Sequence, residues 1–104
     1  MASEDPVVIA SLARTPIGGF QGDFKNLTSA RLGATAIRAA VGRAGLKGED
    51  IDELVFGCVL PAGQGQAPAR QAALAAGLPM ETACATLNKM CGSGMKAVMQ
   101  ATRR

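Results

Sequence analysis

The residues best suited to chemistry lie together in Asn88-Lys89-Met90-Cys91-Gly92-Ser93-Gly94-Met95-Lys96-Ala97-Val98. A cysteine stands at an expected strand-to-helix turn with glycines directly behind it. The start of a helix offers unpaired N–H groups and a partial positive charge. That field favours a thiolate over a thiol. Gly92 and Gly94 carry no side chain to obstruct a substrate approaching the sulfur. The backbone N–H of Cys91 could also point at an oxyanion forming on an attacked carbonyl. Together these features suit nucleophilic acyl transfer.

Three other readings compete on spacing alone. Cys91 could be an inert core cysteine, since free cysteine is often buried. Gly92-Ser93-Gly94-Met95-Lys96-Ala97 fits the G-x-G-x-x-G/A dinucleotide fingerprint. That fingerprint usually follows a first strand, whereas this one follows the third, and its acidic partner ~20 residues on would fall beyond Arg104. Cys91-Gly92-Ser93 is also like the papain-type cysteine signature. The following Cys and aromatic residue of that signature are missing, and the chain contains no histidine to serve a cysteine protease.

The elements that position this segment follow from hydrophobic runs and punctuation. Val7–Ala13 is a short apolar run ended by Arg14-Thr15-Pro16, a turn-forming group, and reads as a buried strand. Gly18, Gly19 and Gly22 form a loop, and Thr28 or Ser29 caps a helix. Ala30, Ala34, Ile37, Val41 and Ala44 recur on one face of that helix. Gly45-Leu46 then ends it. Leu54–Leu60 is a second buried strand; its continuous apolar run is the mark of a parallel sheet covered on both faces. A loop leads to Pro68, a good first helical residue, and a second helix runs to about Ala76. Gly77-Leu78-Pro79 repeats the stop signal. A third strand spans about 82–87. A third helix opens within Cys91–Gly94, carries Met95, Val98, Met99 and Thr102 on one face, and continues to Arg104 with no stop. The order β-α-β-α-β-α implies an α/β fold with a parallel sheet and right-handed crossovers.

Composition narrows the function classes. Of 104 residues, 48% are apolar, 18% charged and 3% aromatic, which describes a globular domain with a core of small side chains and modest stability. The net charge of +3 suits an anionic partner, but the basic residues are scattered and stacking aromatics nearly absent, which argues against nucleic acid. Three cysteines, no CxxC and no histidine argue against disulfides and a metal site. Cys58 and Cys84 fall in strands and read as core residues. The Met90, Met95 and Met99 cluster reads as adaptable core packing. The opening residues show no signal core, and no apolar run approaches the ~20 residues of a membrane span. The expected location is cytoplasmic.

Three segments carry a resemblance to a known family. They are Ala13-Arg14-Thr15-Pro16-Ile17-Gly18, then Gly65-Gln66-Ala67-Pro68-Ala69-Arg70-Gln71, then Asn88 through Lys96. In this order and spacing the chain resembles the opening portion of a thiolase, above all the biosynthetic acetyl-transferring members. The resemblance makes residues 1–104 an incomplete N-terminal thiolase domain, the β-α-β-α-β-α parallel-sheet portion of the N-terminal half of a five-layer αβαβα fold. With the family's sheet order, 3-2-1-4-5, the crossover rule sends the first two helices to one face and the third to the other. That third helix would be the layer between the two halves of the fold.

The resemblance also implies a reaction. Cys91 corresponds to the acyl-accepting nucleophile. Two acetyl-CoA molecules condense to acetoacetyl-CoA through a cysteine acyl-enzyme, and thiolysis is the reverse. Coenzyme A is the substrate carrier, with no bound cofactor, no metal, no nucleic acid and no membrane partner. The complete protein would be a homo-oligomer; Arg70 and Gln71 lie in a segment near the family's subunit interface, where a packing role fits them. The family's activating histidine, second cysteine, oxyanion-site Asn and CoA-binding loop lie beyond the matched part. The chain alone is therefore expected to be inactive. Two alternatives stand beside this reading. One is a thiolase-fold condensing enzyme acting on carrier-protein substrates; the other is a short non-catalytic interaction module.

Overall fold

The computed structural model describes residues 6–103. Among them the elements run α1 (Ser29–Arg43), a short 3-10 turn (Gly48–Asp50), β1 (Glu53–Gly57), α2 (Pro68–Ala75), β2 (Ala83–Leu87) and α3 (Ser93–Ala101). The two strands are parallel and in register from Glu53↔Ala83 to Gly57↔Leu87. This is the α/β, parallel-sheet architecture that the apolar runs imply.

Local chemistry accounts for the helix limits. Thr28 caps α1, its hydroxyl accepting the Arg31 N–H at 3.1 Å. Gly45, at φ +74°, closes α1: its N–H reaches the Gly42 carbonyl and the Leu46 N–H reaches the Val41 carbonyl. That pair of bonds is a Schellman motif. Gly77 and Leu78 repeat it at the end of α2, bonding to the carbonyls of Leu74 and Ala73. At the other end of α2, Pro68 is the first helical residue. The sheet supplies the cap there: the Ala69 N–H donates to the Thr86 hydroxyl at 2.9 Å.

Successive strand residues face opposite sides of a sheet, and β1 shows what lies on each. The Phe56 ring sits against Gly33 of α1 so closely that a Cβ there would be 2.5 Å from its Cζ. Gly57, the next residue, lies under Ser93 and Gly94 of α3; a Cβ on it would be 2.5 Å from the Ser93 carbonyl carbon. Thr86, the register partner of Phe56, meets α2. So α1 and α2 share one face and α3 occupies the other, as the crossover rule requires. The core is built from Ala30, Ala34, Ala69, Ala72, Ala73 and Leu78 on the α1–α2 side and from Ala97 under α3.

Four expectations need correcting. Val7–Ala13 is not a buried strand, so two strands are present among the described residues, not three. A strand is held by a neighbour's backbone, and this segment pairs with neither β1 nor β2. It runs beside α1 instead, where the Ser11 hydroxyl donates to the Ala40 carbonyl at 2.5 Å and the Arg43 guanidinium to the Leu12 carbonyl at 2.8 Å. Its apolar side chains face outward, Val8 being 73% exposed. The methionines are not core: Met95 and Met99 are exposed because α3 turns Ser93 and Ala97 to the sheet, and Met90 is exposed on the turn before α3. Cys58, one residue past β1, is buried, but Cys84 in β2 is only half-buried. Finally, α3 opens at Ser93, within the expected Cys91–Gly94, but does not run on without a stop: it ends at Ala101, where the N–H groups of Thr102 and Arg103 take up the carbonyls of Val98 and Gln100. Arg104 and the opening residues 1–5 lie outside the described residues.

Candidate active site

Cys91 is a free, exposed cysteine four residues beyond the end of β2 and one before Gly92, the N-cap of α3. It therefore sits at the carboxyl edge of the sheet, where parallel α/β folds place their chemistry. The turn that carries it is unusual. Met90 has φ +48°, in the left-handed region that a long side chain rarely adopts. Such a conformation costs about 1–3 kcal/mol and persists only where the surroundings over-determine it.

Asn88 and Ser93 do so. The Asn88 amide donates to the Val59 carbonyl at 3.0 Å, tying the turn to the loop after β1. Its Oδ1 accepts the Met90 N–H at 2.9 Å. The Ser93 hydroxyl accepts the Lys89 N–H at 2.8 Å and donates to the Met90 carbonyl at 2.7 Å. Backbone bonds close the same turn, Gly92 N–H to the Lys89 carbonyl at 2.9 Å and Ser93 N–H to the Met90 carbonyl at 3.0 Å. Ser93 is 3% exposed, and Gly57 gives it room from below. By contrast, no hydrogen bond from the Cys91 N–H to a turn or side-chain acceptor is found among the described residues, and Cys91 forms an isolated parallel bridge with Lys89. An exposed cysteine thiol and a backbone N–H on one residue are the two parts that attack on a carbonyl needs.

Other residues marked in the sequence have structural work. The Arg70 guanidinium donates to the Thr82 carbonyl at 3.2 Å, joining α2 to the entry of β2. The Gln71 amide donates to the carbonyls of Gln64 and Gln66, closing the loop before α2. Arg14, Thr15 and Pro16 line a shallow cleft against Thr35, Ala39 and Arg43 of α1, and that cleft does not include Cys91. Lys89 is exposed. Asn88 and Ser93 stand within the motif around Cys91, but their bracing role is visible only in the folded turn. An Asx or Ser side chain at a turn was the available signal.

The sequence matches the family description "Thiolase, N-terminal domain" over residues 7–104. It is 57% identical over 97 residues to the mitochondrial acetyl-CoA acetyltransferase of Xenopus tropicalis, covering 93% of this chain and 23% of that protein. It is 54% identical over 99 residues to the cytosolic acetyl-CoA acetyltransferase of Gibberella zeae, covering 95% and 25%. The chain thus spans about a quarter of the length of the curated relatives it matches. Among solved structures, a thiolase from Ascaris suum in complex with coenzyme A superposes with a TM-score of 0.87 at 38% identity, over 91% of this chain and 25% of that one. The acetyl-CoA acetyltransferase of Syntrophomonas wolfei gives 0.88 at 35% identity, over 92% and 24%. The turn around Cys91, the parallel sheet beneath it and these matches lead to one assignment: the chain belongs to the thiolase family, in the region of its N-terminal domain.

Proposed function

We propose that residues 1–104 are an incomplete N-terminal thiolase domain whose complete protein is an acetyl-CoA acetyltransferase with Cys91 as its acyl-accepting nucleophile. The observation that carries this reading is the exposed Cys91 on a turn braced by Asn88 and Ser93, at the carboxyl edge of the parallel sheet. The names of the relatives support acetyl-CoA and acetoacetyl-CoA as substrates, and the Ascaris suum complex supports coenzyme A as the carrier.

In the first step the Cys91 sulfur, having given up its proton, attacks the thioester carbonyl of acetyl-CoA. A carbon–sulfur bond forms and the carbonyl oxygen becomes an oxyanion, to which the Cys91 N–H donates. The bond to coenzyme A then breaks, and coenzyme A leaves as a thiol with a proton. In the second step another acetyl-CoA loses a methyl proton, and its carbon attacks the acetyl-enzyme carbonyl. A carbon–carbon bond forms, Cys91 leaves and takes up a proton, and acetoacetyl-CoA is released. Thiolysis reverses both steps. Splitting the reaction at a covalent intermediate replaces one difficult displacement with two easier ones. By the same reading the proton-moving groups are assigned to the part of the protein outside these 104 residues.

The same reading makes the complete protein a homo-oligomer with small-molecule partners and neither nucleic acid nor membrane among them. No helix among the described residues is long and apolar enough to cross a membrane. The relatives include mitochondrial and cytosolic forms; the proposed location is cytoplasmic. The test is a Cys91→Ser variant of the complete protein, assayed for acetoacetyl-CoA synthesis and thiolysis. Loss of a covalent nucleophile should lower kcat by a factor on the order of 10³ or more. Near-normal turnover would end the assignment.

A further inference from the structure

Three successive peptide planes lead into Cys91, and side chains hold each of them. The Asn88–Lys89 plane is held through the Lys89 N–H, which donates to Ser93 Oγ. The Lys89–Met90 plane is held through the Met90 N–H, which donates to Asn88 Oδ1, and through the Lys89 carbonyl, which accepts from Gly92. The Met90–Cys91 plane is held through the Met90 carbonyl, which accepts from both the hydroxyl and the N–H of Ser93. A peptide unit is rigid, and its C=O and N–H point in opposite directions. Fixing the Met90 carbonyl against Ser93 therefore fixes where the Cys91 N–H points: opposite to that carbonyl, away from Ser93 in the first turn of α3.

Resting on the reading of Cys91 as an acyl-accepting nucleophile, we infer that Ser93 and Asn88 are positioning residues that aim the Cys91 N–H at the oxyanion. Ser93 anchors the plane that contains this N–H. Asn88 anchors the plane before it and ties the whole turn to Val59, 29 residues away. Gly57 completes the device by leaving Ser93 its place against the sheet. With the Ser93 hydroxyl removed, the Met90 carbonyl keeps one donor of two and the left-handed Met90 loses part of what holds it. The sulfur stays where it is, but the donor is no longer aimed.

The experiment separates aim from general damage. In the complete protein, the rate of Cys91 acetylation by acetyl-CoA is compared with its rate of alkylation by iodoacetamide. Acetylation passes through an oxyanion and needs the aimed donor. Alkylation at a saturated carbon forms no oxyanion and needs only the sulfur. For Ser93→Ala, acetylation should fall by about tenfold to a hundredfold, a part of what removing an oxyanion donor costs, while alkylation stays within about twofold. Should Ser93→Ala not fold, Asn88→Ala at an exposed position carries the same test, with acetylation down by about tenfold and alkylation unchanged. Both rates falling together, or neither falling, overturns the inference. If Cys91 of the unmodified protein takes no acetyl group at all, the proposed function fails first, which is a separate outcome visible in the control.

Discussion

The two faces of the β1–β2 sheet are built differently. On one, α1 and α2 pack through the smallest side chains available. Gly33 and Ala72 meet where the helices approach: a Cβ on Gly33 would lie 3.5 Å from that of Ala72. Ala69, Ala72 and Ala73 are all but fully buried, and Arg38 reaches across to the Ala75 carbonyl at 2.8 Å. On the other face, α3 gives the sheet only Ser93 and Ala97 and turns Met95, Val98 and Met99 outward. The first face is a finished core. The second buries little area and spends its contacts on locking the turn that carries Cys91. Outward apolar stripes of this kind commonly mark a surface that a neighbour covers, which fits the expectation that the third helix lies between two halves of a larger fold.

The comparison predicts unequal sensitivity to substitution. The largest effect belongs to the closed face. Ala72 is 0% exposed, so Ala72→Leu adds volume where none is free. Overpacking of this sort costs about 1–3 kcal/mol, which chemical denaturation of the chain would read as a lower midpoint with little change of slope. An unchanged midpoint would show that the α1–α2 contact is looser than it looks.

How much of this could be read from the sequence depended on how local each feature was. The glycine stops at Gly45 and Gly77 and the proline start at Pro68 were legible, because each acts within a few residues of itself. The parallel pairing of β1 and β2 was legible from continuous apolar runs. Val7–Ala13 has the same kind of run and was misread, since a run specifies burial but not the partner that provides it. The outward methionines were misread for a related reason: an apolar stripe at helical spacing says that a face will be covered, not by what. At the site, Cys91 stood out by residue type and by the glycines after it. The brace did not, because it depends on Met90 adopting a left-handed conformation, which no propensity signals, and on an Asn88–Val59 bond between residues 29 apart in the chain.

The smallest effect belongs to the open face. Met95 is 74% exposed, and Met95→Gln removes an apolar end that touches little. In this chain it should change stability by less than about 0.5 kcal/mol, as for other surface substitutions, by the same denaturation measurement. A loss as large as that of Ala72→Leu would erase the distinction between the faces and show that α3 is already covered.

On the open face, as proposed, the braced turn presents Cys91 as the acyl-accepting sulfur. The most direct measurement is to incubate the complete protein with acetyl-CoA, stop the reaction with acid, and map the modified peptide by mass spectrometry. An acetyl group should appear on Cys91 and be removed when coenzyme A is added back. An acetyl group found on Cys58, Cys84 or any other residue, with Cys91 unmodified, would contradict it.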